Sequence, residues 1–313
     1  MSTTEYDQET AFNEEIAKIT DQSVVFRLKQ IKDLVVQRIN LEKNFRKEQS
    51  KLEAKYEKEY APLYKERADI INGDKKVSFD DVKDILSGVQ VTSTEESETG
   101  IPSYWLTCLK HSKQFSELVN KKDEAVLKNL KDITLDFKES GDFSIFFHFK
   151  ENEYFKHSDL FRHFYLDDKQ NIKKIESSKI EWTSEEVNPT VERKKKKLKN
   201  KNKSAEVKVV TKLEEVPSFF NFFKDYTACE GHASHSHPHK KSDDGEEEEV
   251  DENEFIDEEY ELGLFIKDEL IPYSLEYYLD LVEDEDDEED EEDDDIEDDE
   301  DDEEEKKPKK KLF

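Results

Sequence analysis

Apolar residues recur at spacings of three and four along the first fifth of the chain, with charged residues of both signs between them. The stripe consists of Val24, Leu28, Ile31, Val35, Phe45, Leu52, Tyr56 and Leu63. This spacing places the apolar residues on one face of a helix, whose start Asp21 or Ser23 can cap. The chain has no Gly before Gly73, and the stretch has a single Pro, Pro62. The pattern predicts a helix from residue 22 to about residue 70, whose stripe spans roughly 60 Å.

One small domain does not cover a stripe of this length, so we expect a second copy of the same helix to pack on it. Arg38, Glu42, Gln49 and Glu59 interrupt the heptad. The interruptions favour a helix pair supported by other elements over a plain parallel zipper. The candidate dimerisation residues are Val24, Leu28, Ile31, Val35, Phe45, Leu52 and Tyr56. A single extended surface helix is the alternative.

After residue 100 the spacing of apolar positions changes. Pro102 starts a helix that buries Tyr104, Trp105, Leu106, Leu109 and Phe115, and a second helix begins at Asp123. Aromatic and β-branched runs then predict four strands, around 134–137, 143–149, 160–165 and 179–182. The order of helices and strands indicates an α+β domain from residue 100 to residue 282.

The other segments are read from local composition. Residues 1–21 are expected to be flexible, with one weakly amphipathic turn, and residues 71–99 to form a small insertion with a short helix from Ser78 to Leu86. Residues 191–211 form a basic hairpin, and Phe219, Phe220, Phe222 and Phe223 form an apolar plug. Residues 227–254 are a loop that is first His-rich and then acidic. A last helix runs from Tyr260 to Leu281, interrupted at Pro272.

Charge changes this picture most strongly at the C-terminus. The chain has a net charge of −33, and every residue from Glu283 to Glu305 except Ile296 is acidic. Such a segment has no apolar surface to offset the entropy of ordering, so residues 283–313 are expected to be a disordered arm with a basic end. A polycation is its natural partner, whereas free nucleic acid is repelled. A role in solubility alone is the alternative.

Few residues suggest catalysis or a cofactor. The sequence contains no phosphate-binding loop, hydrolase elbow or metalloprotease motif, so we expect neither an enzyme nor a bound cofactor. His232, His235, His237 and His239 lie near Cys229, but without a second nearby cysteine or ordered flanks, and we expect no metal there. Two cysteines and no long apolar run predict a soluble intracellular protein without membrane contact.

Two lysine runs are candidate nuclear import signals. The first centres on Lys194, Lys195, Lys196 and Lys197, and the second includes Lys306 and Lys307. Phosphate binding or a solvated hairpin tip remain open for the first run, which lacks the aromatic residues of a single-strand binder. Leu28, Ile31, Leu34 and Val36 fit an export signal, although helix burial explains them equally.

An ordered set of motifs resembles the nucleosome assembly protein family of histone chaperones. The matches include Gly100–Thr107 (GIPSYWLT), Asp123–Ile133, Asn152–Phe155, Ile180–Trp182 with Asn188–Val191, Pro217–Phe223 (PSFFNFF) and Leu262–Pro272. The resemblance covers about residues 22–282. Residues 71–99, the His-rich loop and Thr183, which follows Trp182, depart from the family pattern.

The resemblance implies an antiparallel homodimer through the long helices, each subunit carrying a four-stranded antiparallel sheet backed by helices. It also implies ATP-independent nucleosome assembly and disassembly through binding of the core histone 2A–2B dimer and, as a further possibility, the 3–4 tetramer. The implied histone-binding residues are Asp123, Glu124, Asp132, Glu258, Glu259, Glu261, Asp268 and Glu269, with Glu283, Asp284, Glu285, Asp286 and Asp287 at the start of the arm.

Transport between nucleus and cytoplasm, with nuclear transport receptors as partners, is expected of such a protein. Sequence-specific nucleic-acid binding is not expected. The alternative function is an acidic dimeric adaptor that carries basic cargo between the two compartments.

Overall fold

The structure is a computed structural model, and it describes residues 3–77, 100–198, 208–228 and 252–282. It begins with a helix, α1 (Thr3–Ala17), where the sequence suggested a single amphipathic turn. The segment contains no Gly or Pro, so nothing stops the helix before Ala17. Lys32 of the next helix lies 4.2 Å from the ring centre of Phe12, so α1 folds back along that helix.

The predicted long helix is confirmed as α2 (Gln22–Asn72). The carboxylate of Asp21 caps it by accepting a hydrogen bond from the Ser23 N–H at 2.8 Å. Gly73 ends it in the left-handed conformation, with φ of 79°, which suits a residue without a Cβ. At 51 residues, α2 is about 76 Å long and passes through Pro62 without ending.

Most of the rest of the described chain is an antiparallel sheet and the helices that cover one of its faces. The helices that precede the sheet are α3 (Tyr104–His111), α4 (Lys113–Ser116) and α5 (Lys121–Leu127). The first four strands are β1 (Leu130–Phe137), β2 (Phe143–Phe149), β3 (Asp159–Leu166) and β4 (Ile172–Ser177). A two-residue strand, β7 (Tyr226–Thr227), adds a fifth strand beside β4. The α+β class predicted from sequence is confirmed.

The position of the fourth strand was predicted wrongly. That strand is Ile172–Ser177, whereas residues 179–182 contribute only an isolated bridge between Trp182 and Phe155. In β4 only Ile172 and Ile175 face the core, and Ile175 pairs with Phe164. The intervening lysines and Glu176 hide this strand from a search for apolar runs.

Helices on one face of the sheet and a phenylalanine cluster form the core. The cluster is a 3₁₀ helix, Phe219–Phe223, and all four of its phenylalanines are buried. The five residues expected to be buried after Pro102 are also buried, from Tyr104 to Phe115. α6 (Glu252–Phe265) continues through a π-helical turn, Ile266–Leu270, to α7 (Ser274–Leu279). The predicted last helix therefore begins earlier than Tyr260.

A two-stranded hairpin stands apart from this sheet. Its strands are β5 (Val191–Leu198) and β6 (Lys208–Glu215), paired from Val191 with Glu215 to Leu198 with Lys208. The predicted short helix at 78–86, the histidine cluster and the acidic arm lie outside the described residues. Among the described helices, none combines the length and apolar character that a membrane span requires.

Candidate functional site

Carboxylates are concentrated on the outer face of the last helical segment. Residues 252–282 contain ten acidic residues and a single lysine, Lys267. Ile256, Gly263, Ile266 and Leu270 turn inward and fix the orientation of the segment. The opposite face therefore presents acids to solvent, and its exposed members include Asp257, Glu258, Glu261, Asp268 and Glu269. We call these five residues the acidic face.

A cleft of about 460 Å³ adjoins the acidic face. Its apolar lining comes from Leu118, Leu262 and Phe265. Three carboxylates lie among the lining residues, those of Glu117, Glu258 and Glu261, together with Lys113 and Gln114. An apolar floor with carboxylates around it suits the aliphatic stem and charged end of a lysine or arginine from a partner.

Asp123 does not belong to this surface, contrary to the expectation from sequence. The residue is fully buried. Its carboxylate accepts hydrogen bonds from the Asn120 N–H (2.8 Å), the Ser218 hydroxyl (2.6 Å) and the Phe219 N–H (3.0 Å). Asp123 thus closes the capping box of α5 and ties that helix to the phenylalanine cluster. A buried carboxylate that holds three donors has no surface to offer a histone.

Asp132 is also buried, so it too is removed from the set of surface candidates. Burial raises the pKa of Asp132 to about 6, although the positive charge of Arg67 and the nearby His148 act in the opposite direction. Among the described residues, no hydrogen-bond partner reaches its Oδ1 atom or the Nε and Nη2 atoms of Arg67. Asp132 and Arg67 are therefore internal polar groups at the junction of α2 with the sheet.

Glu259 faces inward as well. Its carboxylate binds Nη2 of the fully buried Arg162 at 2.8 Å and accepts a hydrogen bond from the Tyr226 hydroxyl at 3.2 Å. The other terminal nitrogen of Arg162 donates to the carbonyl of Phe222. Because a buried guanidinium requires a compensating charge, Glu259 stabilises the fold and is a poor candidate for a histone contact.

Glu124 is the remaining body candidate outside the last helical segment. It is partly exposed and binds Lys110 at 2.9 Å, and this hydrogen bond and the charge of Lys110 lower the pKa of Glu124. Residues 283–287 at the start of the arm lie outside the described residues. The structure thus brings Glu258, Glu261, Asp268 and Glu269 onto one surface and separates them from Asp123, Asp132 and Glu259.

The apolar stripe of α2 is uncovered in the single chain. Leu52 is 56% exposed, Ile31 55% and Phe45 65%, whereas the buried residues of α2 are Ser50, Ala54, Ala68 and Ile71. Val24, Val35 and Tyr56 are exposed too, and Leu28 is half-buried. Exposed apolar surface of this extent is typical of an interface.

The import candidates divide between two regions. Lys194 lies on β5 and pairs with Glu214 of β6 at 3.0 Å. Lys195, Lys196 and Lys197 continue β5, and Lys306 and Lys307 lie outside the described residues.

Burial raises the pKa of the Cys108 thiol to about 12, so this cysteine is kept as an unreactive thiol. Within the described residues, no group of three or more potential ligands is placed to hold a metal ion.

Sequence reasoning missed two parts of this arrangement. The Asn120–Asp123 spacing is a capping-box signal, and it would have placed Asp123 inside. Nothing local marks Arg162 as buried, because its partner Glu259 is 97 residues away.

A long helix with an uncovered apolar stripe, an α+β body and a concentrated acidic face together define an acidic, partner-binding protein of the histone-chaperone type. A family model described as nucleosome assembly protein matches residues 26–281. The chain therefore belongs to the nucleosome assembly protein family.

Similar proteins agree with this assignment. Nucleosome assembly protein 1;1 of Arabidopsis thaliana is 34% identical over 267 residues, which cover 83% of this chain and 68% of the relative. Nucleosome assembly protein 1;2 of Oryza sativa subsp. indica is 32% identical over 268 residues, covering 83% and 68%.

Solved structures support the fold. Nucleosome Assembly Protein 1 from Plasmodium knowlesi has a TM-score of 0.54 at 22% identity, covering 85% of this chain and all of that one. A malaria parasite nucleosome assembly protein has a TM-score of 0.53 at 22% identity, covering 84% and 98%.

Proposed function

We propose that this protein is an ATP-independent histone chaperone that binds the core histone 2A–2B dimer, accepts the 3–4 tetramer as a further substrate, and promotes nucleosome assembly and disassembly. The observation that carries the proposal is the acidic face together with its cleft, on a chain of this family. Histones are polycations, and their basic surface is complementary to the five exposed carboxylates of the acidic face.

The proposed mechanism is competition with DNA. Glu258, Glu261, Asp268 and Glu269 occupy basic histone surface that DNA otherwise takes, and Glu124 extends this surface on α5. The arm from Glu283 onward increases the association rate and the affinity. Non-productive histone–DNA contacts are thereby suppressed, and the histones pass to DNA where its denser charge forms a complete set of contacts.

Dimerisation and transport complete the proposal. The uncovered stripe of α2 pairs with the same stripe of a second copy. The lysine runs at 194–197 and 306–307 bind nuclear transport receptors, so the protein shuttles between nucleus and cytoplasm. The acidic surface repels free nucleic acid, and no sequence-specific DNA contact is expected.

A nucleosome assembly assay tests the proposal. Histone 2A–2B dimers, 3–4 tetramers and a mixture of the two are each aggregated on DNA at near-physiological salt, and the protein is added. Dissolved aggregates are scored in all three samples, and nucleosomes are scored in the mixture. We expect the wild-type protein to dissolve the aggregates and Glu258→Lys/Glu261→Lys to lose most of this activity. Glu139→Lys/Glu151→Lys is the matched control, because it makes the same charge change at exposed positions in loops outside the acidic face.

The transport adaptor is the competing function, and the same assay separates the two. An adaptor binds histones but leaves histone–DNA aggregates in place. The chaperone proposal is rejected if the wild-type protein dissolves no aggregates, and the acidic face is rejected as the binding surface if both double variants lose activity equally.

A further inference from the structure

A second group of exposed apolar residues lies on α7 and directly beside it. Tyr273, Leu275, Leu279, Leu281 and Val282 are each 44–63% exposed, and together we call them the α7 patch. Leu275 and Leu279 lie one helical turn apart, on the side of α7 opposite the buried Ser274. The α7 patch is therefore a second uncovered apolar face on this chain.

The two apolar surfaces are aligned. Arg67 follows Tyr60 by seven residues, so both side chains project from nearly the same side of α2. Tyr60 is exposed, but the Arg67 guanidinium donates to the Ser274 hydroxyl at 3.0 Å and to the carbonyl of Ile271. The start of α7 thus lies directly ahead of the stripe. A helix that packs along the stripe and extends beyond Leu63 meets α7.

The distribution of charge along α2 indicates which end of a second copy's α2 lies beside α7. Residues 22–38 carry four cations, Arg27, Lys29, Lys32 and Arg38, against the single acid Asp33. Residues 56–72 carry four acids and three cations, and Glu276 and Asp280 add two acids among the residues of the α7 patch. Parallel packing places two cationic ends side by side, whereas antiparallel packing places each cationic end against an acidic one.

We propose that the α7 patch is the docking surface for the N-terminal end of α2 of a second copy of this chain. The stripe runs from Val24 to Leu63, so its midpoint falls between residues 43 and 44. A two-fold axis at that midpoint sets Leu63 opposite Val24 of the partner subunit, with the start of the partner's α2 beside α7. Each α2 is thereby held at both ends, by the opposing stripe and by the partner's α7 patch. The inference rests on the dimerisation part of the proposed function.

Cross-linking between differently tagged full-length chains tests the contact. Both chains carry Cys229→Ser, and Cys108 is retained because it is buried. One chain carries Leu275→Cys, and the other carries Val24→Cys, Leu52→Cys or Leu63→Cys. After subunit exchange and treatment with a short bifunctional thiol reagent, we expect a cross-link with Val24→Cys and none with Leu52→Cys, which lies about 40 Å further along the helix.

The outcomes separate this inference from the rest of the proposal. A cross-link to Leu63→Cys in place of Val24→Cys indicates a parallel pair and overturns the inference. If the wild-type chain sediments as a dimer but the Leu275→Cys and Val24→Cys chains give no cross-link, the inference alone is overturned. If the wild-type chain is a monomer, both this inference and the proposed dimer are overturned. The proposed histone chaperone activity is tested separately, by the nucleosome assembly assay.

A charge exchange gives a second test. Glu276→Lys/Asp280→Lys and Arg27→Glu/Lys29→Glu are each expected to weaken the dimer about tenfold at low salt, by sedimentation. If these ends face each other, the variant with all four substitutions recovers a dimer affinity within a few-fold of that of the wild type. If the variant with all four substitutions forms a weaker dimer than either double variant, the proposed docking is contradicted.

Discussion

Several buried polar side chains stabilise the fold of this molecule. In the sequence, nothing distinguishes these residues from the many other charged residues of the chain. Asp123 gathers three donors at the start of α5, and Glu259 compensates the buried guanidinium of Arg162. Asp132 is buried, and no donor within the described part of the chain reaches its Oδ1 atom. Each of these carboxylates affects stability more directly than binding.

Asp123→Ala is expected to lower the free energy of unfolding by about 3 kcal/mol, because the Ser218 hydroxyl and two backbone N–H groups lose their acceptor. Chemical denaturation measures the loss. Glu124→Ala is the matched control at the next position, and a partly exposed ion pair there contributes less than about 1 kcal/mol. A variant with wild-type stability and weakened histone binding would return Asp123 to the binding surface.

Asp132→Asn is expected to change how stability depends on pH. The pKa of Asp132 is about 6 in the folded chain, against an ordinary value of 3.8 for an aspartate, so the folded state binds more protons than the unfolded state between these values. The contribution of Asp132 to the free energy of unfolding therefore falls as pH rises through this window, by about 3 kcal/mol.

Asn does not ionise, so the stability of Asp132→Asn relative to wild type should rise between about pH 4 and about pH 7. Urea denaturation across this range measures the difference. Asp136→Asn, exposed on the same strand, is the control. If Asp132→Asn and Asp136→Asn show the same pH dependence, the raised pKa is refuted.

At the scale of the elements, α6 packs closely against β3, and Gly263 is the residue of α6 that allows this close approach. A Cβ at this position would lie 2.3 Å from the ring of Phe164, and that ring is stacked on Phe143 with centres 4.5 Å apart. Because the ring has little room to move, any side chain at 263 pushes α6 away from β3.

Gly263→Ala should therefore be destabilising, although alanine favours a helix by about 1 kcal/mol. Overpacking costs about 2–3 kcal/mol, so we expect a net loss of about 1–2 kcal/mol by thermal denaturation. Glu261→Ala, exposed on the same helix, is the comparison. A stabilised Gly263→Ala variant would show that the helix can move away from the sheet at no cost.

Periodicity predicted the elements whose apolar residues are close in sequence. The α2 stripe and the β2 run are of this kind, and both were found. β4 was misplaced because two isoleucines among lysines carry too little signal, and its pairing with β3 depends on a register set by tertiary contacts. The acidic face was predicted in part, since the sequence shows the carboxylates of residues 252–282 but does not say which of them turns inward.

At the scale of the whole molecule, 22 carboxylates lie between Glu283 and Glu305, in the C-terminal segment that follows the described residues. Deleting residues 283–313 is expected to weaken histone binding about tenfold or more at low ionic strength and much less at high salt, because the arm acts through screened charge. The dimer should persist, since the stripe of α2 is untouched. Titration of labelled histones over a salt series measures the effect, with sedimentation as the check on assembly.

Deleting residues 306–313 alone is the control for this truncation, because it removes five lysines and leaves the carboxylates. Affinity should then stay the same or increase. Equal histone affinity of the full chain and the 283–313 deletion at low salt would exclude a role for the arm.

The junction at the end of α2 has a consequence for how this chain can diversify. The Ile101 N–H donates to the Ile71 carbonyl at 2.7 Å, and Gly100 lies so close to that carbonyl that a Cβ would stand 2.1 Å from it. The two ends of the segment between Gly73 and Gly100 therefore meet at one point of the body. Loop closure costs only about 0.6 kcal/mol for each doubling of length, so the segment between these glycines can be lengthened, shortened or exchanged over evolutionary time while the body stays the same.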